Sequence, residues 1–283
     1  MWVLIASSLA IDSPSMPRMG LLRNYHTHTW RCQHATGEAI NYAHEAVAAG
    51  MEVLGFSDHT ALPDHRWANV RMRMDQLDEY EAAVRAAAEA HPSLHVLLGM
   101  ECEFQPEFAA FYRDELLGRR GYDYLIGAGH YIKVDDRWLG SFDHARAPEQ
   151  LRIYVDLMVA TIESGLFTFI AHPDVFGCCN PLWNADCAAA AHDLCAAAAA
   201  TNTPLELNAY GIRKPWVDGD DGPRPAYPWP PFWAIAAEHG VRVVFSSDAH
   251  RPQDVSHGAT ELAAIRDQFG LTEVDVLDLL VRT

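Results

Sequence analysis

Seven short apolar runs in this chain each end on residues able to hold a metal ion or touch a substrate. Residues 21–25 lead into His26 and His28, 53–57 into Asp58 and His59, and 96–100 into Glu101. Further on, 124–129 lead into His130, 167–171 into His172, 204–207 into Asn208, and 241–247 into Asp248 and His250. A single histidine after a strand is usually a part-buried packing or surface residue. Recurrence at seven run ends is not explained that way. Imidazole nitrogen and carboxylate oxygen are donors that zinc, manganese and iron all accept. In a strand alternate residues share a face, so His26 and His28 point the same way, as do Asp248 and His250. His34 follows in the next loop, and Glu101 has one carboxylate oxygen to offer to each of two ions. The pattern points to a centre of several metals.

To bring these donors together the runs must be parallel strands, whose C-terminal ends share one face of an α/β barrel. The gaps between them read as helices. Residues 37–49 put Ile40, Ala43, Ala46 and Val47 on one face and stop at Gly50. Residues 75–90 do the same with Leu77, Tyr80 and Val84 before Pro92, and 148–164 with Leu151, Tyr154, Val155 and Met158. The alanine-rich stretch 186–200 reads as a helix packed closely on the strands, and helices at 229–239, 259–268 and 274–282 complete the series. Strand–helix alternation seven times over predicts an α/β fold, a distorted seven-stranded (β/α)7 barrel. Residues 21–283 form one domain on this reading, with 1–20 a flexible extension. Two segments break the rhythm. Residues 60–74 are polar and aromatic, and 213–231 are so rich in Pro, Gly and Trp that no regular structure is expected there. Both read as walls or lids of an active face.

Composition narrows the function. Of 283 residues, 49% are apolar and 21% charged, as in ordinary globular proteins. The net charge of -17 argues against a nucleic-acid polymer as partner, which normally needs a basic patch. Six cysteines lie unevenly with no CxxC pair, which fits free thiols in a reducing cytoplasm. The apolar start of the chain is too short to cross a bilayer and lacks the basic region of a signal peptide, so no membrane partner is expected.

The motifs HTHT (26–29), SDH (57–59), GMECE (99–103), GAGH (127–130), AHPD (171–174) and SSDAH (246–250) match, in order and spacing, those of a known family. Over about residues 22–255 the chain resembles the polymerase-and-histidinol-phosphatase (PHP) family of metal-dependent phosphoesterases. Within it the chain is most similar to histidinol-phosphate phosphatases, through LELNAYGIRK (205–214). The resemblance implies a distorted seven-stranded barrel with three divalent ions, zinc, manganese or iron. On it, His26, His28, Glu101 and Asp248 hold the first ion, Glu101, His130 and His172 the second, and His34, His59 and His250 the third. The implied partner is a small phosphorylated metabolite. The implied enzyme is a metal-dependent phosphomonoesterase converting L-histidinol phosphate to L-histidinol by in-line attack of a metal-bridging hydroxide.

Other residues take subsidiary roles on this reading. Asp248 handles the proton on the nucleophile or leaving group, and Asp58 orients a ligand imidazole. Arg213 resembles the family's phosphate-holding arginine, and its planar fork suits that contact. Lys214 adds charge beside it, and Arg71 is a further candidate. Trp216, Trp229 and Trp233 either wall a pocket or pack the core. A phosphodiesterase or nucleotidase of the same family is the alternative activity, but the acidic charge and the lack of an inserted basic domain favour the monoesterase. A metal-binding protein without turnover is a third reading, against which the full ligand set argues.

Overall fold

The computed structural model describes residues 20–219 and 222–281, so the expected N-terminal extension lies, Gly20 apart, outside the described residues. Eight strands form one sheet: β1 (Arg23–Asn24), β2 (Val53–Phe56), β3 (His95–Glu103), β4 (Tyr124–Ala128), β5 (Phe169–Ile170), β6 (Leu205–Asn208), β7 (Arg242–Ser246) and β8 (Thr272–Glu273). They pair in that order and always in parallel. Strands β2, β4 and β6 are buried along their whole length. Helices cover the outside of such a sheet, which is why these strands read as continuous apolar runs.

The sheet corrects the expected strand number by one. The extra strand, Thr272–Glu273, is too short and polar to announce itself in sequence, and it pairs with Arg242 and Val243 at the start of β7. At the other end of β7 the same edge meets the continuation of β1: His28 N donates to Ala249 O at 2.9 Å and Ala249 N to His26 O at 3.3 Å. The sheet thus curls until its first and seventh runs touch beside the site, with β8 wedged between them at the far end. Asp275, just after β8, accepts from Arg23 and from the Tyr25 hydroxyl and so ties the wedge to β1.

Helices Ala39–Ala48, Leu77–Ala90, Pro148–Glu163, Ala185–Thr201, Pro230–Glu238 and Ala259–Phe269 fall within two residues of their expected bounds, and Val276–Leu280 is shorter than 274–282. Other elements were not legible, the short helices Ser141–His144 and Tyr210–Arg213 among them. A π-helix spans Phe111–Arg119, and an antiparallel ribbon of Tyr131–Val134 and Arg137–Gly140 follows His130 directly. A second ribbon, Val217–Gly219 with Gly222–Arg224, occupies the stretch expected to be irregular. Pro223 is tolerated there because a two-stranded ribbon leaves edge positions that need no N–H donor.

The barrel interior is filled by Tyr25, Val53, Leu97, Tyr124, Ile126, Phe169 and Val244. The Tyr124 ring lies against the glycines of the neighbouring strands, and its hydroxyl donates to Tyr25 O at 2.6 Å. Gly55 and Gly99 make room for that ring: a Cβ on Gly99 would stand 2.4–2.8 Å from its atoms. Outside the barrel, the buried Asp174 carboxylate accepts from Trp229 N at 2.6 Å and from Trp233 Nε1 at 3.0 Å. Burial pushes the Asp174 carboxyl up from 3.8 to about 6.

Gly99→Ala should therefore overpack the barrel and lower stability by about 1–3 kcal/mol, read as a lower urea midpoint; an unchanged midpoint would mean the ring can move aside. Asp174 makes a pH-dependent contribution of defined sign. Between pH 3.8 and about 6 the folded chain keeps a proton that the unfolded chain has lost, so this contribution falls as pH rises through that window. In Asp174→Asn the loss of stability between pH 5 and pH 7.5 should be smaller by about 1–2 kcal/mol than in the parent, by urea unfolding at both pH values.

Candidate metal centre

Because every strand runs the same way, the seven run ends converge on one rim, and Glu101 stands at its centre, buried near the end of β3. Its Oε2 lies 3.4 Å from His26 Nε2, 3.7 Å from His28 Nε2 and 2.8 Å from His59 Nδ1. Its Oε1 faces the other way, 3.4 Å from His130 Nε2 and 3.2 Å from His172 Nε2. Asp248 Oδ1 stands 3.0 Å from His28 Nε2 and 3.7 Å from His26 Nε2. Metal–donor bonds of about 2.1 Å at tetrahedral angles put donors about 3.4 Å apart, which is the spacing seen here. His34, exposed at the rim, brings its ring within 5.1 Å of His59 and 4.9 Å of His250. The donor atoms that gather within 4.8 Å of one another there are those of His28, His59 and His250, and of Cys32, His34 and His250.

The protonation pattern states what the site needs. Burial alone would raise the Glu101 carboxyl, but His130, His26 and His59 hold it well below the usual range. Asp248 is likewise held low, against burial, by His26 and His28. In return, burial would lower the His26 and His28 imidazoles, yet the carboxylates raise His26 well above its ordinary value and His28 to about 9. His59 and His250 are pushed well below theirs by burial and by His28. Buried carboxylates here recruit protons onto neighbouring imidazoles as countercharge. A divalent cation supplies the same countercharge without the protons. His26 Nε2, His28 Nε2, both Glu101 oxygens and Asp248 Oδ1 are moreover buried with no hydrogen-bond partner. Native interiors rarely leave such atoms unmatched, and the donor set fits a divalent metal.

A layer of carboxylates and carbonyls faces the outer ring nitrogens of five of these imidazoles. Glu206 Oε1 lies 2.8 Å from His26 Nδ1, and its Oε2 accepts from His172 N at 2.9 Å. Glu103 Oε1 lies 2.5 Å from His130 Nδ1 and accepts from Arg71 at 2.6 Å. Asp58 Oδ1 stands 3.5 Å from His28 Nδ1, while its Oδ2 accepts from Thr29 N at 3.0 Å. The carbonyls of Cys32 and Asp248 face His34 Nδ1 and His250 Nδ1 at 2.7 Å and 3.2 Å. Sequence reasoning missed Glu103 and Glu206. The available signal was alternation: Glu103 shares a strand face with Glu101, and Glu206 shares one with Asn208.

A cavity of about 240 Å³ opens over the donors, with Arg71, Tyr131, Phe142, Tyr210, Lys214 and Tyr227 among its walls. The 60–74 loop and the ribbon after His130 build one side together, since Trp67 stacks on Tyr131 at 4.3 Å. Arg71 is fully buried, with Nε and Nη1 unpartnered. Arg213 and the three tryptophans stand away from this cavity. Arg213 is not on this cavity: its guanidinium donates to Ala209 O, Ser247 O and Asp248 O, and its side chain borders a different one. Of the three tryptophans none lines it; Trp229 and Trp233 are buried around Asp174, and Trp216 is 58% exposed.

Comparison with known proteins follows the same line. The model of the PHP domain family matches residues 24–209. A Deinococcus radiodurans protein named "probable histidinol-phosphatase" is 34% identical over 258 residues, covering 87% of this chain and 94% of that one. The crystal structure of a HisK protein from Listeria monocytogenes superposes with a TM-score of 0.69 at 18% identity, covering 84% of this chain and 99% of that one. Histidinol phosphate phosphatase from Lactococcus lactis, complexed with zinc, L-histidinol and phosphate, gives 0.65 at 14% identity, covering 89% and 95%. With the family model spanning more than half of the sequence, and a relative 34% identical along nearly its whole length, this chain belongs to the PHP domain family.

Proposed function

We propose that the protein is a metal-dependent phosphomonoesterase whose substrate is L-histidinol phosphate, hydrolysed to L-histidinol and phosphate. The observation that carries the chemistry is the division of Glu101, one oxygen toward His26, His28 and His59 and the other toward His130 and His172. The named relatives support the choice of substrate. Three divalent ions, zinc, manganese or iron, are held on this reading: one by His26, His28, Glu101 and Asp248, one by Glu101, His130 and His172, one by His34, His59 and His250. The chemistry such ions supply when bound is a lowered pKa for water and neutralisation of phosphoryl charge.

The chain's own residues do the rest. Arg71, which lines the cavity and keeps two unpartnered donors, and Lys214 beside Tyr210 hold the phosphoryl group. Arg71 also grips Glu103 and through it fixes His130. Asp248 is the one acidic side chain on the cavity wall among the described residues, so it is assigned the proton of the nucleophile or of the leaving alcohol. Tyr131, Phe142 and Tyr227 form the aromatic surface that the organic part of the substrate meets and keep water from it. The free cysteines suit a reducing compartment, the cytoplasm. Among the described residues no helix is long and apolar enough to cross a membrane.

The decisive assay is phosphate release from L-histidinol phosphate beside a panel of nucleotide phosphates; turnover of nucleotides alone would sink the substrate assignment. Chelation should abolish activity and readdition of a divalent ion restore it. Glu101→Gln should lower kcat/KM by about a thousandfold or more, because metal stabilisation of the transition state is worth several kcal/mol. Lys214→Ala should raise KM and the Ki of inorganic phosphate about tenfold or more with metal content unchanged, the loss of one charge-assisted hydrogen bond; equal constants in parent and variant would remove Lys214 from the phosphate site.

A further inference from the structure

We propose that Arg213 and Asn208 are positioning residues for Asp248, gripping it from the backbone and from the side chain so that a single carboxylate oxygen faces the metal donors. The inference rests on the reading of Asp248 as a metal ligand given above, and adds to it what holds that ligand in place.

Asp248 follows β7 in a left-handed conformation, with φ of 49°. Few non-glycine residues adopt this conformation, and those that do persist only where surrounding contacts over-determine them. The contacts here are specific. Arg213 Nη2 donates to Ser247 O at 2.6 Å and to Asp248 O at 3.2 Å, spanning the turn, while Nη1 donates to Ala209 O at 3.3 Å. Its Nε, 3.8 Å from the Asp254 carboxylate, makes no hydrogen bond, so the grip on the turn comes from the two Nη groups. On the other side, Asn208 Nδ2 donates to Asp248 Oδ2 at 3.1 Å and to Glu206 Oε2 at 2.8 Å. Oδ2 is thereby occupied, and Oδ1 is left toward His28 and His26. Asn208 Oδ1 also accepts from Tyr210 N, and the Tyr210 ring stacks on His250 at 4.6 Å. The short helix Tyr210–Arg213 therefore clamps the turn that carries both Asp248 and His250.

A phosphate-binding arginine needs free donors aimed at the substrate. Arg213 has both Nη groups on carbonyls and lies off the cavity, whereas the next residue, Lys214, lines it. Chain direction at this point separates the two cations into one that holds the site and one that faces the ligand.

The test compares Arg213→Ala, Arg213→Lys and Asn208→Ala with the parent holoenzyme. Metal retained against a graded chelator series is measured by elemental analysis, alongside kcat and KM on L-histidinol phosphate and the Ki of inorganic phosphate. Arg213→Ala and Asn208→Ala should each weaken metal retention and lower kcat about 10–100-fold, the usual cost of losing a partner that orients a ligand, with KM and Ki within about twofold. Arg213→Lys should recover part of the retention, since an ammonium still reaches one carbonyl. A rise of about tenfold in KM and Ki with metal content intact would overturn the proposal and make Arg213 a phosphate ligand. So would parental metal retention and kcat in all three variants. Should Arg213→Ala fail to fold, as judged by circular dichroism, the other two variants decide on the same criteria. A parent that releases no phosphate from any ester would end the phosphatase reading alone, and metal retention would still judge the clamp.

Discussion

Two ionised carboxylates buried in one ring of imidazoles are the constraint that shapes this protein. Moving a carboxylate out of water costs several kcal/mol unless matched charge sits beside it. Glu101 and Asp248 meet that requirement by holding protons on His26 and His28, an arrangement in which every countercharge is replaceable by a divalent ion. The unpartnered oxygens and nitrogens that remain define the same position from the hydrogen-bonding side. Metal affinity built this way must rise with pH, because each ion displaces protons from the imidazoles it binds.

Parallel strands are what make the ring affordable. They deliver donors from distant parts of the sequence to one rim, and the apolar filling below, packed around Tyr124, fixes their heights. Around the rim the orienting groups are shared: Glu206 serves His26 and the backbone of His172, and Asn208 serves Glu206 and Asp248. Such sharing ties neighbouring donors to one another. The elements outside the barrel do a separate job. The 60–74 loop and the ribbon after His130 contribute Arg71 and Tyr131, which shape the approach, and Arg71 reaches the donors only through Glu103.

Much of this was legible in sequence because the signal was redundant. An apolar run gives a buried strand, a helical gap gives a parallel neighbour, and a donor after each run gives a rim. No single His26 or His172 would have sufficed. What stayed hidden depends on contacts with no one-dimensional trace. Glu103 and Glu206 sit within apolar runs and look like interruptions until the imidazoles they face are folded against them. The direction of Arg213 is decided by the carbonyls of Ala209, Ser247 and Asp248, which any sequence possesses. Strand β8 is two residues long, and its pairing depends on an edge of β7 that only the curl of the sheet leaves free. Regular structure in 213–231 escaped notice because a ribbon tolerates the prolines that a central strand excludes.

The split edge of β7 has a mechanical consequence. One strand is claimed by the wedge at its start and by the continuation of β1 past its end, so the cylinder is fastened along a seam and not by a continuous ladder. Opening should begin at the far end of that seam, where the backbone amide of Val274 would exchange with solvent sooner than those between β3 and β4. The catalytic rim sits on the fastened end of the seam, and the give in the structure is relegated to the opposite mouth.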